Sequence, residues 1–136
     1  MRYFRLAIRS DPKSVDGYFN LGNTLHVQHH LEEAIKYYYK ALQIDPKHAA
    51  THSSLAFALL EQGEIDDAVA HLRQALTIYP DAAPLHIALA SALDQMGRND
   101  DAIKHYESAL RLDPDDGRTR QQLQRLMEMK NRSLGE

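Results

Sequence analysis

A chain of 136 residues is long enough for one small domain with a sizeable core. Its 43% apolar and 26% charged residues are an ordinary soluble balance, and a net charge of −3 gives no global field for nucleic acid. Without cysteine there is neither a disulfide framework nor a thiolate metal site, and no apolar run approaches membrane-spanning length.

The opening, MRYFRLAIRSDP, is broken by arginines and followed by no small-residue cleavage site, so it does not read as a signal peptide and a cytoplasmic location is expected. A period of 34 residues runs through the chain. It relates Leu21, Leu55 and Leu89; Ala34, Ala68 and Ala102; Ala41, Ala75 and Ala109; and Pro46, Pro80 and Pro114, with Pro12 one step earlier. Such a period has to be read before any local pattern.

Residues 1–14 match the second half of a repeat and lack its first half. Phe4, Ala7 and Pro12 fall where Tyr38, Ala41 and Pro46 fall one period later. This segment is expected either to continue a longer array or to act as a lone N-terminal cap. In repeat one, residues 15–48, Tyr18, Leu21, Gly22 and Leu25 recur at helical spacing and predict a helix over Asp16–Gln28. A second helix, Glu32–Ile44, turns Ala34, Ile35, Tyr38, Ala41 and Leu42 inward. Asp45-Pro46 ends it, because proline lacks an N–H and pushes the preceding residue out of the α region.

Repeat two, residues 49–82, predicts helices over Ala50–Gln62 and Asp66–Ile78 with a turn at Gly63 and a stop at Tyr79-Pro80. Repeat three, residues 83–116, has Pro84 in a first turn, a turn at Gly97, a helix over Asp100–Leu112 and a stop at Asp113-Pro114. His29 holds the place of Gly63 and Gly97, which predicts a strained or displaced first turn. The pairs Glu32-Glu33, Asp66-Asp67 and Asp100-Asp101 open the second helices, and Lys40, Arg73 and Arg111 lie toward their ends, as the helix dipole favours. Residues 117–134 return to the first-helix register with Leu123, Leu126 and Met127. Gln124 stands where Gly22, Ala56 and Ala90 stand, as suits a terminal capping helix, with Asn131 onward expected to fray.

The combined pattern resembles the tetratricopeptide repeat, a helix–turn–helix of 34 residues. Repeat one carries Tyr18-x2-Leu21-Gly22-x2-Leu25, then Ala34-x3-Tyr38, Ala41 and Pro46. Repeat two carries His52-x2-Leu55-Ala56-x2-Leu59, then Ala68-x3-Leu72, Ala75 and Pro80. Repeat three carries His86-x2-Leu89-Ala90-x2-Leu93, then Ala102-x3-Tyr106, Ala109 and Pro114. Tyr18, His52 and His86 depart from the family's tryptophan. The resemblance implies an all-α fold: an α-solenoid of antiparallel helix pairs, wound as a right-handed superhelix and closed by a C-terminal capping helix. Small residues at Gly22, Ala56, Ala90, Ala34, Ala68 and Ala102 let helices cross closely, and Tyr38, Leu72 and Tyr106 fill the gap toward the next unit.

Eight histidines raise the question of a metal or a catalytic base. His26, His29 and His30 cluster near a helix end, and His48 and His52 are four apart, a spacing that can hold a metal. No acidic third ligand is fixed by the pattern, and His52 with His86, like His71 with His105, occupies a repeated position. These histidines are therefore read as structural, with scope for pH-dependent stability. No metal site, cofactor or catalytic residue is expected. The glycines are scattered and form no phosphate loop. Arginines on the terminal helices lack interleaved aromatics and read as solvated faces rather than nucleic-acid sites. Neither nucleic acid nor a membrane is expected as a partner.

Surface recognition remains. The resemblance implies a concave groove lined by first helices and receiving a peptide or partner helix. Its positions are Phe19, Asn20, Asn23, His26 and Val27 in repeat one, Phe57 and Leu60 in repeat two, Ile87 and Ser91 in repeat three, and Arg118 and Arg125 on the cap. A solvated helix has no need of Phe19, Val27, Phe57, Leu60 or Ile87, and such apolar groups mark a partner site. The competing reading buries them against the chain's own cap or neighbour. The basic clamp that some family members use for acidic C-terminal tails is not expected, because Phe19, Ser54, Pro84 and Ala88 stand at its positions and only Asn23 fits. An asparagine ladder stops after Asn20, since Ser54 and Ala88 follow. The expected function is a non-catalytic scaffold for a protein or peptide with apolar anchors. The alternatives are a homo-oligomer, formed by stacking at the open N-terminal end or by groove contacts, and the targeting array of a larger enzyme.

Overall fold

The computed structural model of the chain describes Arg5, Asp11 and residues 13–135. The half-repeat expected at the start, with Phe4, Ala7 and Pro12, lies outside the described residues. Among the described residues there are seven helices and no strand. They are α1 (Val15–Val27), α2 (Leu31–Ile44), α3 (Ala49–Gln62), α4 (Ile65–Ile78), α5 (Ala83–Gln95), α6 (Asn99–Leu112) and α7 (Gly117–Gly135).

Each helix boundary has a local cause. The Ser14 hydroxyl caps α1 by accepting a hydrogen bond from the Gly17 N–H at 3.0 Å. Asp116 does the same for α7. Its carboxylate accepts from the Thr119 N–H at 3.2 Å and from the Thr119 hydroxyl at 2.6 Å, and these bonds hold the Asp116 carboxyl below its usual value. At the stops of α2 and α6, Asp45 and Asp113 adopt φ near −130° and −136°, the extended geometry that a following proline imposes. The Asp45 carboxylate then accepts from the Lys47 N–H at 3.1 Å and closes the turn.

The three intra-repeat turns are copies of one another. His30 N–H donates to Leu25 C=O, Glu64 to Leu59 and Arg98 to Leu93, each at 2.9 Å. One residue earlier, His29, Gly63 and Gly97 all have positive φ, at 62°, 81° and 77°. The turn of repeat one is thus not displaced: His29 takes up the left-handed geometry that glycine adopts freely, and the backbone strain is confined to that residue.

The described chain forms two compact units dividing within α4, after Ala75. In the first, α1 packs on α2, α2 on α3, and α3 also touches α1. Leu21, Leu25, Ala34, Tyr38, Ala41, Leu55 and Leu72 are fully or almost fully buried there. A Cβ placed on Gly22 would come within 2.6 Å of the Tyr38 ring, so the closeness of α1 to α2 rests on that missing methyl. In the second unit α5 packs on α6 and α6 on α7, around Leu89, Leu93, Ala102, Tyr106, Ala109 and Leu126. Only Thr119 and Leu126 of α7 are buried. The tail expected to fray continues the helix to Gly135, because residues 131–134 contain no helix breaker. No helix among the described residues is long and apolar enough to cross a membrane.

Candidate functional site on the first-helix face

In the first unit the face is built on α1 and α3. Tyr38 reaches it from α2. Its ring is wholly buried, while its phenol crosses to α1 and donates to the Asn23 side-chain oxygen at 2.7 Å. Burial pushes the Tyr38 phenol up to about 12, against the pull of a hydrogen bond with Ser54. His26 lies edge-on to the same ring and pairs with Glu61 at 2.7 Å, joining α1 to α3. Phe19 is half-buried, with its ring edge-on to His48 at 5.3 Å and tilted to Tyr38 at 6.3 Å. Asn20 and Leu60 are half-buried as well. Val27 is 81% exposed and Phe57 38% exposed. Of the apolar residues singled out by sequence in this unit, Val27 and Phe57 therefore offer the most free surface, whereas Phe19 is largely occupied with its own neighbours.

The register explains why Phe57 is there. Asn23, Phe57 and Ser91 hold one repeat position, and Tyr38, Leu72 and Tyr106 hold another. Where the second helix carries a tyrosine, the first helix carries a polar partner: Asn23 bonds Tyr38, and Ser91 bonds Tyr106. Leu72 has no hydroxyl to satisfy, so its repeat is free to place an aromatic ring at position 57. Sequence inspection missed this pairing. Its signal was the joint variation of the two positions across the repeats.

In the second unit the face is built on α5 and α7. Ile87 and Ser91 are half-buried, and Arg118 is exposed. Arg125 does not stand free: its guanidinium hydrogen-bonds the Asp94 carboxylate and also donates to the Gln122 oxygen at 3.2 Å. Burial, aided by the Asp94 charge, raises the Tyr106 phenol, and Arg125 opposes it.

In each repeat an aromatic pair at one register also joins the first helix to the second. Tyr18 stacks with Tyr37 at 6.1 Å, while the rings of His52 and His71 and of His86 and His105 meet edge to edge through their Nδ1 atoms, with centroids 5.1 and 5.4 Å apart. Lys40 lies over both rings of the tyrosine pair, at 5.7 and 5.3 Å, a cation–π contact as well as a dipole match. Among the described residues no group of three or more His, Cys, Asp or Glu side chains converges to hold a metal.

Models of the tetratricopeptide repeat match residues 15–81 and 59–128, and the chain belongs to that family. No curated protein sequence matches it. Among solved structures it is similar to MamA, at 25% identity with a TM-score of 0.90, covering 96% of this chain and 76% of that one. It is also similar to YrrB, described as a TPR protein with an unusual peptide-binding site, at 22% identity and a TM-score of 0.87, covering 93% of this chain and 66% of that one. The first TPR of Spaghetti (RPAP3), solved with the HSP90 peptide SRMEEVD, matches at 20% identity and a TM-score of 0.80, covering 89% of this chain and 96% of that one. The latter two likenesses are of fold.

Proposed function

We propose that the protein is a non-catalytic scaffold whose first-helix face binds an extended or helical segment of another protein through apolar anchors. The carrying observation is Phe57, an aromatic ring 38% exposed on α3 while its neighbours Leu55, Ala56, Ala58 and Leu59 are buried. Leaving such a ring in water forgoes roughly 1 kcal/mol or more that a partner's apolar side chain recovers on docking. Val27 supplies a second exposed apolar group on α1, and the half-buried Leu60 a third surface on α3. Polar groups on the same face, the Asn23 amide N–H2 and the Ser54 hydroxyl, are placed to read a peptide backbone while Tyr38 fixes their orientation. YrrB and the first TPR of Spaghetti show peptide recognition on this fold and lend the reading support by analogy.

Selection from a displayed peptide library tests the proposal. The wild type should enrich segments with large apolar anchors. Phe57→Glu should lose at least tenfold in affinity for them while its far-ultraviolet circular dichroism is unchanged. Equal binding by the variant, or no enrichment by the wild type, refutes the reading.

A further inference from the structure

The histidine pairs have a proton count forced by their geometry. His52 Nε2 lies 2.7 Å from the Pro46 carbonyl oxygen, which only accepts, so Nε2 carries a hydrogen. In the neutral ring Nδ1 is then a bare lone pair. It lies 2.9 Å from His71 Nδ1, so His71 must be the donor across that contact. The arrangement recurs one repeat later, with His86 Nε2 2.8 Å from the Pro80 carbonyl oxygen and His86 Nδ1 3.1 Å from His105 Nδ1. One added proton is tolerated at His71 Nε2, where the Tyr39 hydroxyl, 3.5 Å away, rotates from donor to acceptor. A second proton has only His52 Nδ1 to go to. That sets N–H against N–H at hydrogen-bond distance in a ring 6% exposed.

We infer that these pairs are acid-sensitive latches: each holds a first helix to a second helix, α3 to α4 and α5 to α6, while it carries at most one added proton, and lets go when the second arrives. The groups facing the first pair are Tyr39 from α2, the Pro46 carbonyl from the preceding turn, and Asp67 one turn before His71 on α4. For the second pair they include the Pro80 carbonyl, while Asp101, one turn before His105 on α6, is paired with the Arg98 guanidinium at 2.8 Å. Burial, with the His52 charge, holds His71 below the usual histidine value, and Asp67 opposes this. The unfolded chain leaves both rings open to protons, whereas in the folded pair the Nδ1–Nδ1 contact and the carbonyl-bound Nε2 leave a place for one. The latch is therefore at full strength above about pH 6.5 and weakens as the pH falls below it. Repeat one has Tyr18 and Tyr37 at the same register and no such sensitivity in its closure.

Urea unfolding between pH 7.5 and 5.0 tests the latch. The wild-type unfolding constant should rise by about tenfold per pH unit for each pair below pH 6, relative to the double variant His71→Gln/His105→Gln. A glutamine amide can present either N–H or C=O to the first-helix histidine, so it accommodates both protonation states. Equal acid slopes in the two proteins overturn the inference. Histidine side-chain ¹H–¹⁵N spectra of the wild type provide a measurement that needs no variant. His52 and His86 should be Nε2–H tautomers at pH 7.5, and each pair should take up one proton before the fold is lost. Uptake of two protons per pair in the folded state overturns it.

Discussion

At Gly22 the backbone of α1 passes beneath the Tyr38 ring, and an added methyl would meet it at 2.6 Å. Alanine gains about 1 kcal/mol of helix propensity over glycine, but overpacking a filled core costs roughly 1–3 kcal/mol. Gly22→Ala is therefore expected to lower stability in urea unfolding. Gly22→Ala with Tyr38→Leu should recover much of the loss, since repeat two already combines Ala56 with Leu72. Ala90 coexists with Tyr106 in repeat three, so the size of the penalty measures how little the Tyr38 ring can shift. The need for a small residue at positions 22, 56 and 90 was legible in the sequence from the period. The phenol of Tyr38 ending on Asn23 was carried only by the joint variation of the two positions across the repeats, since the repeat pattern itself assigns Tyr38 to the core. The same blind spot made Arg125 look available, when Asp94, distant in sequence, engages it.

Turns show how position can override residue type. His29 makes the same hydrogen bonds as Gly63 and Gly97 with a φ of 62°. A left-handed non-glycine residue costs roughly 1–2 kcal/mol, partly offset in the unfolded state where glycine is the more flexible. His29→Gly is therefore expected to stabilise the protein by about 0.5–1 kcal/mol, read as a rise in the thermal midpoint. An unchanged or lower midpoint would show that the His29 side chain contributes more than its backbone costs. The helices themselves were legible to within a residue at most ends, because acidic openings and proline stops bracket the second helices and apolar spacing and turns mark the first. The fate of α7 was less so: its register was visible, but the lack of a helix breaker in residues 131–134 is a weaker signal than the proline stops that end α2, α4 and α6.

Over the whole molecule the period made the family and the all-α architecture readable, because each repeat buries its apolar face against elements adjacent in sequence. The division after Ala75, inside a helix rather than between repeats, had no such signal. An array held by neighbour contacts melts locally where the neighbours are fewest. With Leu126 and Thr119 as its only buried residues, α7 is that place in the second unit. Leu126→Ala should remove roughly 2–5 kcal/mol of docking and bring α7 amide exchange, followed by mass spectrometry, close to the unprotected rate while α5 and α6 keep much of their protection. The chain also carries its own optical gauge of unfolding. It has no tryptophan, so its near-ultraviolet spectrum is dominated by tyrosine. The folded protein withholds ionisation of Tyr38 until about pH 12, whereas an unfolded chain releases that proton near the ordinary phenol value of 10. Between those two values stability falls as alkali is added, and each molecule that opens converts a buried phenol to a phenolate. Unfolding in that window registers as a change of colour in the ultraviolet, without an added dye or label.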